Sequence, residues 1–268
     1  MWSDKTNRAK EHKKNLEAEI ATFLNTNPYK VSTKIDAKTK RLIYYIQSAD
    51  DLPKNIALTT GDIIQNLRSS LDQLAYQLFL QNSGSTAQGR HIQFPISMDL
   101  SGYEARKGTD TNGISSQAKN LIDAIKPYRG GNDRLWQIHE LSNIDKHRTL
   151  VTVGSSYRSM DLGAHMSAAM KEAFPDRRIP SISAFFKPAD SLFPLAVGKE
   201  LFIDRPDAKP LPDMQFRFDI ALNEPGIVDG EPLLEAVQAM IDTVGALVPT
   251  FSHQYYRKCE LRSVSHIR

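Results

Sequence analysis

Two stretches of the chain gather side chains able to move protons or hold anions. Within Gly61–Gln73, helical spacing sets Gln65, Arg68 and Asp72 on one face and Asn66, Ser69 and Gln73 on the adjoining one. Within Arg134–Arg148, His139, Asn143 and His147 recur every four residues and share a face, with Asp145, Lys146 and Arg148 close by in sequence. A guanidinium is a planar fork that matches phosphate oxygens. An imidazole exchanges protons near neutral pH. The pairing suits chemistry on a phosphate ester. His147 or His139 would be the acid and base, Arg68 or Arg148 would hold phosphate, and Asp145 completes the catalytic candidates. Asn66, Asp72, Gln73 and Asn143 are the candidates to bind and orient substrate.

Both faces also have a plainer reading. Arg68 and Asp72, four apart, can form an ion pair on a wet helix surface, which contributes a few tenths of a kcal/mol. Lys146, His147 and Arg148 suit the negative end of a helix dipole. One detail tells against simple solvation: no Lys and no Glu occurs between Ile56 and Gln81. A polar face without those long solvent-filling side chains reads as buried or ligand-facing. His139 and His147 are two helical turns apart, about 12 Å, too far for one zinc ion to bridge. Neither a metal nor another cofactor is expected.

The elements that must position these groups follow from periodicity. Asn55–Gln81 carries the strongest helical stripe, with Ile56, Ile63, Leu67, Leu71, Leu74 and Leu78 at three- and four-residue steps. Asp133 would cap a helix from about Arg134 to His147, with Leu135, Ile138, Leu141 and Ile144 inward. The two helices should pack side by side, their polar faces meeting in a cleft that unites Arg68 with His147. A helix from Ser3 to about Asn25 stops at Asn27-Pro28. The runs Tyr29–Ile35 and Arg41–Gln47 read as a hairpin, and His91–Ile96 as a short strand interrupted by Pro95. A helix capped at Ser115 or Ser116 ends at Lys126-Pro127.

From Thr149 the pattern changes to strands at Leu150–Val153, Ser181–Phe186, Lys199–Ile203 and Met214–Leu222. The alternation in the last of these predicts an antiparallel sheet with one wet face. A final amphipathic helix runs from Pro232 to about Tyr256, kinked at Pro249, before a basic, frayed tail at Arg257–Arg268. The expected fold is α+β in a single domain, 1–268: a bundle-like helical half over 1–148 with an early hairpin, and a β-rich half over 149–268 closed by a helix.

Composition sets outer bounds. With 268 residues, 40% hydrophobic and 24% charged, the chain can bury a core without covalent staples. A net charge of +3 gives no strong global pull on nucleic acid, so anion binding must come from local clusters. The lone Cys259 excludes an internal disulfide and fits a reducing compartment. The first residues, Met-Trp-Ser-Asp-Lys-Thr-Asn-Arg, do not resemble a signal peptide, and no run of about 18 apolar residues stands out. A cytoplasmic protein with no membrane contact is expected.

Two resemblances add to this. The helix Gly61-Asp62…Asn66-Leu67-Arg68-Ser69-Ser70-Leu71-Asp72 and the segment Asn143-Ile144-Asp145-Lys146-His147-Arg148 resemble those of an uncharacterised bacterial family, as do Phe94-Pro95-Ile96 and Lys126-Pro127-Tyr128. That likeness covers roughly Asn55 to Leu150 and carries no assigned activity. Asn66 and Arg68 also resemble the signature of HEPN-type helical RNases, in which an Arg is followed by four to six residues and then a His. The resemblance implies a homodimer that cleaves RNA without metal by 2′-hydroxyl attack, in a defence or toxin role. Gln73 stands where that pattern has its His. Glutamine exchanges no proton at neutral pH, which leaves open a protein that binds RNA without cutting it. It also leaves open a non-catalytic protein whose Arg, Asn, Asp and His cluster is a structural network or a sensor of a small nucleotide-like anion.

Overall fold

Where the apolar stripes are longest, helices form, and their stripes are buried. The computed structural model describes residues 2–83, 91–150, 152–178, 185–186, 194–210 and 216–264. Helix α1 (Trp2–Asn25) buries Leu16, Ile20 and Phe23. It ends where Asn27 takes φ 53°, a left-handed conformation that Asn tolerates, ahead of a proline that cannot continue the ladder. Strands β1 (Tyr29–Ile35) and β2 (Arg41–Ala49) form the expected antiparallel hairpin. The Asp36 carboxylate holds its turn by accepting from Thr39 N at 2.7 Å and Thr39 Oγ1 at 2.8 Å.

Helix α2 (Lys54–Ser83) buries every member of its stripe from Ile56 to Leu78. Three further helices follow, α3 (Leu100–Asp110), α4 (Ser116–Ile125) and α5 (Asp133–His147). Each starts at a side-chain cap. Asp99 accepts from Gly102 N, Ser115 from Ala118 N, and Asn132 from Leu135 N. Asn132 rather than Asp133 therefore caps α5. Helix α3 was not foreseen, since Gly102 and Gly108 weaken its helical signature.

The remaining elements are β3 (Thr152–Asp161), α6 (Leu162–Ala173), β4 (Phe185–Phe186), β5 (Glu200–Pro206), β6 (Phe216–Glu224), β7 (Val228–Pro232) and α7 (Leu233–Val264). Both sheets are antiparallel, one ordered β1-β2-β5 and the other β4-β3-β6-β7. The α+β class is therefore as expected. Helix α6 and strand β7 were not. Of the expected strand Ser181–Phe186, only Phe185 and Phe186 are among the described residues, and Met214 and Gln215 lie outside them too. The last helix runs past Tyr256 to Val264, so the segment expected to fray is helical that far, with Pro249 inside it.

The expected strand at His91–Ile96 is irregular chain instead. Its backbone groups find partners other than a neighbouring strand. Phe94 N–H donates to Asp72 Oδ1 at 3.0 Å, and Phe94 C=O accepts from Arg68 Nη2 at 3.1 Å. Gln93 N–H donates to Asp110 C=O, and Pro95 has no N–H to place.

The chain divides into two compact units, and neither is contiguous. The helical unit comprises Met1–Glu17, Ala57–Leu150 and Leu234–Arg268. The β-rich unit comprises Ala18–Ile56 and Val151–Leu233. The sequence reading drew its border near residue 148. Instead, the hairpin joins the β-rich unit, because β2 pairs with β5, and the C-terminal helix joins the helical unit.

Helix α7 corrects another expectation. Its stretch Leu233–Phe251 is long and apolar enough, by length and composition, to cross a membrane. Its stripe of Val237, Met240, Ile241 and Val244 is buried in the fold, the usual use of such a sequence in a core helix.

Candidate functional site

Helices α2 and α5 meet through the polar faces that the sequence singled out. Gln65 Nε2 donates to Ser142 C=O at 2.9 Å and to Asp145 Oδ2 at 3.2 Å, and Ser142 Oγ donates back to Gln65 Oε1 at 3.1 Å. Gly61 lets the helices close in here, because a Cβ at that position would lie 2.8 Å from Asp145 Cγ. Gly61 lies opposite Asp145 and Gln65 opposite Ser142, so the helices run antiparallel. Continuing that register brings Arg68 level with His139.

Arg68 is buried, its side chain only 7% exposed. Its Nη2 bonds Asp72 Oδ1 at 2.9 Å and the Phe94 carbonyl at 3.1 Å. Burial weighs most against its charge, and Asp72 and Asp110 offset only part of that. Burial likewise raises the Asp72 carboxyl above its ordinary value, and Arg68 and the Phe94 N–H pull it back. Among the described residues, Arg68 Nη1 has no hydrogen-bond partner.

His139 presents a matching feature. Asn143 Nδ2 lies 3.2 Å from His139 Nε2. An amide NH₂ can only donate, so Nε2 accepts and the neutral ring carries its proton on Nδ1. That Nδ1 is also buried and without a partner among the described residues. Burial drives the ring down to about 4, and Arg68, Arg106 and Lys146 push the same way. At pH 7 the imidazole is therefore neutral. The face holds two N–H groups with unspent donor capacity, on Arg68 and His139, within the field of two further cations. Gln73 Oε1 is a third buried polar atom without a partner among the described residues.

The other candidates fall elsewhere. Asn66 Nδ2 donates to Asp62 C=O at 2.7 Å and so serves its own helix. Asp145 belongs to the Gly61–Gln65 lock rather than to the Arg68 face. His147 is exposed in the last turn of α5, about 12 Å beyond His139 by helix rise. The expected union of Arg68 with His147 is thus replaced by Arg68 with His139. Arg148 is exposed at the C-cap, where Nη1 reaches the Thr149 carbonyl at 3.4 Å. Lys146 and Arg106 were missed. Lys146, seven residues after His139, repeats on the same face and could have been found by counting turns. Arg106 sits on α3, which the sequence reading lacked. Among the described residues, no group of three or more His, Cys, Asp or Glu side chains is arranged to hold a metal.

The Gly61 contact gives a direct test of the helix pairing. Gly61→Ala should destabilise by about 1 kcal/mol, although alanine is the better helix former, because the Asp145 carboxylate must leave Gln65. In an Asp145→Ala background the same change should stabilise instead. Urea titrations of the four proteins read this reversal of sign, and additive effects would mean that α2 and α5 do not meet there.

No family model matches this chain, and neither the curated proteins nor the solved structures yield a match.

Proposed function

We propose that the helical unit binds a small phosphate-bearing anion, nucleotide-like in kind, at Arg68 and His139, and does so without metal. The observation that carries this is the pair of buried, unpartnered nitrogens, Arg68 Nη1 and His139 Nδ1, on one polar face. Buried donors without acceptors are costly and uncommon, and the oxygens of a bound anion would supply the missing acceptors. Asp72 and Asn143 on that face are only partly buried, and so is Gln73 on the adjoining one, which gives the site an edge toward solvent. Gln73 exchanges no proton and His139, held to about 4, is a weak base at neutral pH, so binding is favoured over turnover.

Thermal melting in inorganic phosphate, against chloride of equal ionic strength, tests this. At 100 times Kd the gain is about 2.7 kcal/mol, a shift of several degrees. Arg68→Met should abolish the shift. An equal shift in that variant, or none in the wild type, rejects the proposal.

A second reading keeps RNA cleavage of the HEPN-like kind, by a cytoplasmic homodimer in defence. The observation favouring it is His139 beside Arg68, which supplies the imidazole that Gln73 denies to α2. On this reading purified protein cleaves RNA in EDTA, His139→Ala loses the activity, and His147→Ala keeps it. Cleavage that survives His139→Ala removes this reading.

A further inference from the structure

The β-rich unit holds a cavity of about 520 Å³, within the range of small-ligand sites. Its aromatic walls come from both sheets. Tyr29 opens β1, and Phe216 and Phe218 stand two apart on β6, on one face of the strand. The rings are braced from behind. Tyr29 packs edge-on against Phe23 at 6.1 Å and lies 4.9 Å from Phe218, and Phe216 lies 5.6 Å from Tyr44. Phe216 and Phe218 remain partly exposed. The polar lining is Asn27, Lys30 and Gln47, all exposed.

The lining decides which ligand fits. Three aromatic rings could also cage a quaternary ammonium. Among the described residues, however, Lys30 is the only charged residue in the lining and no carboxylate joins it, which disfavours a cation and favours an anion. Aromatic faces bind flat rings by stacking, about 1–3 kcal/mol for a nucleobase. The amides of Asn27 and Gln47 each offer a donor and an acceptor to the edge of a heterocycle. We propose that this cavity binds a mononucleotide, its base against the partly exposed Phe216 and Phe218 and its phosphate on Lys30. The site is separate from Arg68 and stands or falls without it.

Saturation-transfer NMR and calorimetry with AMP, adenosine and inorganic phosphate test the proposal. AMP should bind saturably, with stronger transfer to its base protons than to its ribose. Adenosine should bind about tenfold more weakly, and phosphate should give no base-type signal. Lys30→Ala should bring AMP down to the level of adenosine. Phe218→Leu should weaken both about tenfold, and Gln47→Ala, at an exposed position, offers a second variant should Phe218→Leu fold poorly. Measured in an Arg68→Met background, which removes the phosphate site of the helical unit, AMP should still bind saturably and Lys30→Ala should still weaken it, so the two sites are read apart. The proposal is overturned if AMP gives no saturable signal, if Lys30→Ala and Gln47→Ala both bind as wild type, or if only an RNA oligonucleotide binds.

Discussion

Asp72→Ala should destabilise the protein by about 2–4 kcal/mol, somewhat below the roughly 3–5 kcal/mol for stripping one partner from a fully buried ion pair, because the Asp72 side chain is itself 37% exposed. Two losses combine. Arg68 is left as a buried cation with, among the described residues, only the Phe94 carbonyl and the more distant Asp110 to compensate it. The Phe94 N–H loses its acceptor as well, in a segment that pairs with no strand among the described residues. Adding Arg68→Met removes the stranded charge, so the double variant should be more stable than Asp72→Ala alone. Arg68→Met alone should cost less than Asp72→Ala, since a methionine of similar length fills the space without needing a counter-charge. Chemical denaturation of the four proteins gives the coupling directly. An Asp72→Ala variant within 0.5 kcal/mol of wild type would show that Arg68 finds its compensation elsewhere.

How much of this was legible in the sequence depends on what kind of information each feature needs. The α2 stripe was readable because a three- and four-residue period is local. The absence of Lys and Glu from Ile56 to Gln81 was the better clue, and it pointed the right way: Thr60, Arg68 and Ser70 are buried. What could not be read was register between distant segments. The sequence offers His139 and His147 on one helical face with equal claims, and only the approach permitted by Gly61 decides which imidazole stands beside Arg68. The Phe94 segment shows the same limit. Its β-like composition suggested a strand, but two α2 side chains satisfy its peptide groups first. The hairpin's membership of the β-rich unit rests on β2 pairing with β5, more than 150 residues away, where no local pattern reaches.

His139 should make the protein acid-sensitive. Its ring ordinarily titrates near 6.5, and in the fold it is held to about 4 by burial first and by Arg68, Arg106 and Lys146 next. The folded state thus keeps the ring neutral while the unfolded chain takes up a proton. The stabilisation is complete above pH 6.5 and is lost as pH falls toward 4, because in that window the unfolded state binds more protons. The loss amounts to about 3 kcal/mol, one pKa unit being about 1.4 kcal/mol. Asp72 works in the opposite sense, since its raised carboxyl protonates in the folded state first and offsets part of the loss at the acid end. His139→Gln keeps an acceptor for Asn143 but has no proton to gain. Its stability should change less than that of wild type between pH 7 and 4.5, by about 2–3 kcal/mol in urea titrations followed by the fluorescence of buried Trp136. Parallel curves for the two proteins would mean that His139 is not held neutral. The same linkage reaches the anion. A phosphate seated on His139 Nδ1 favours the protonated ring, so phosphate should narrow the gap between folded and unfolded proton affinities. Its stabilising effect should therefore grow as pH falls from 7 to 5, and Arg68→Met should remove that growth along with the binding.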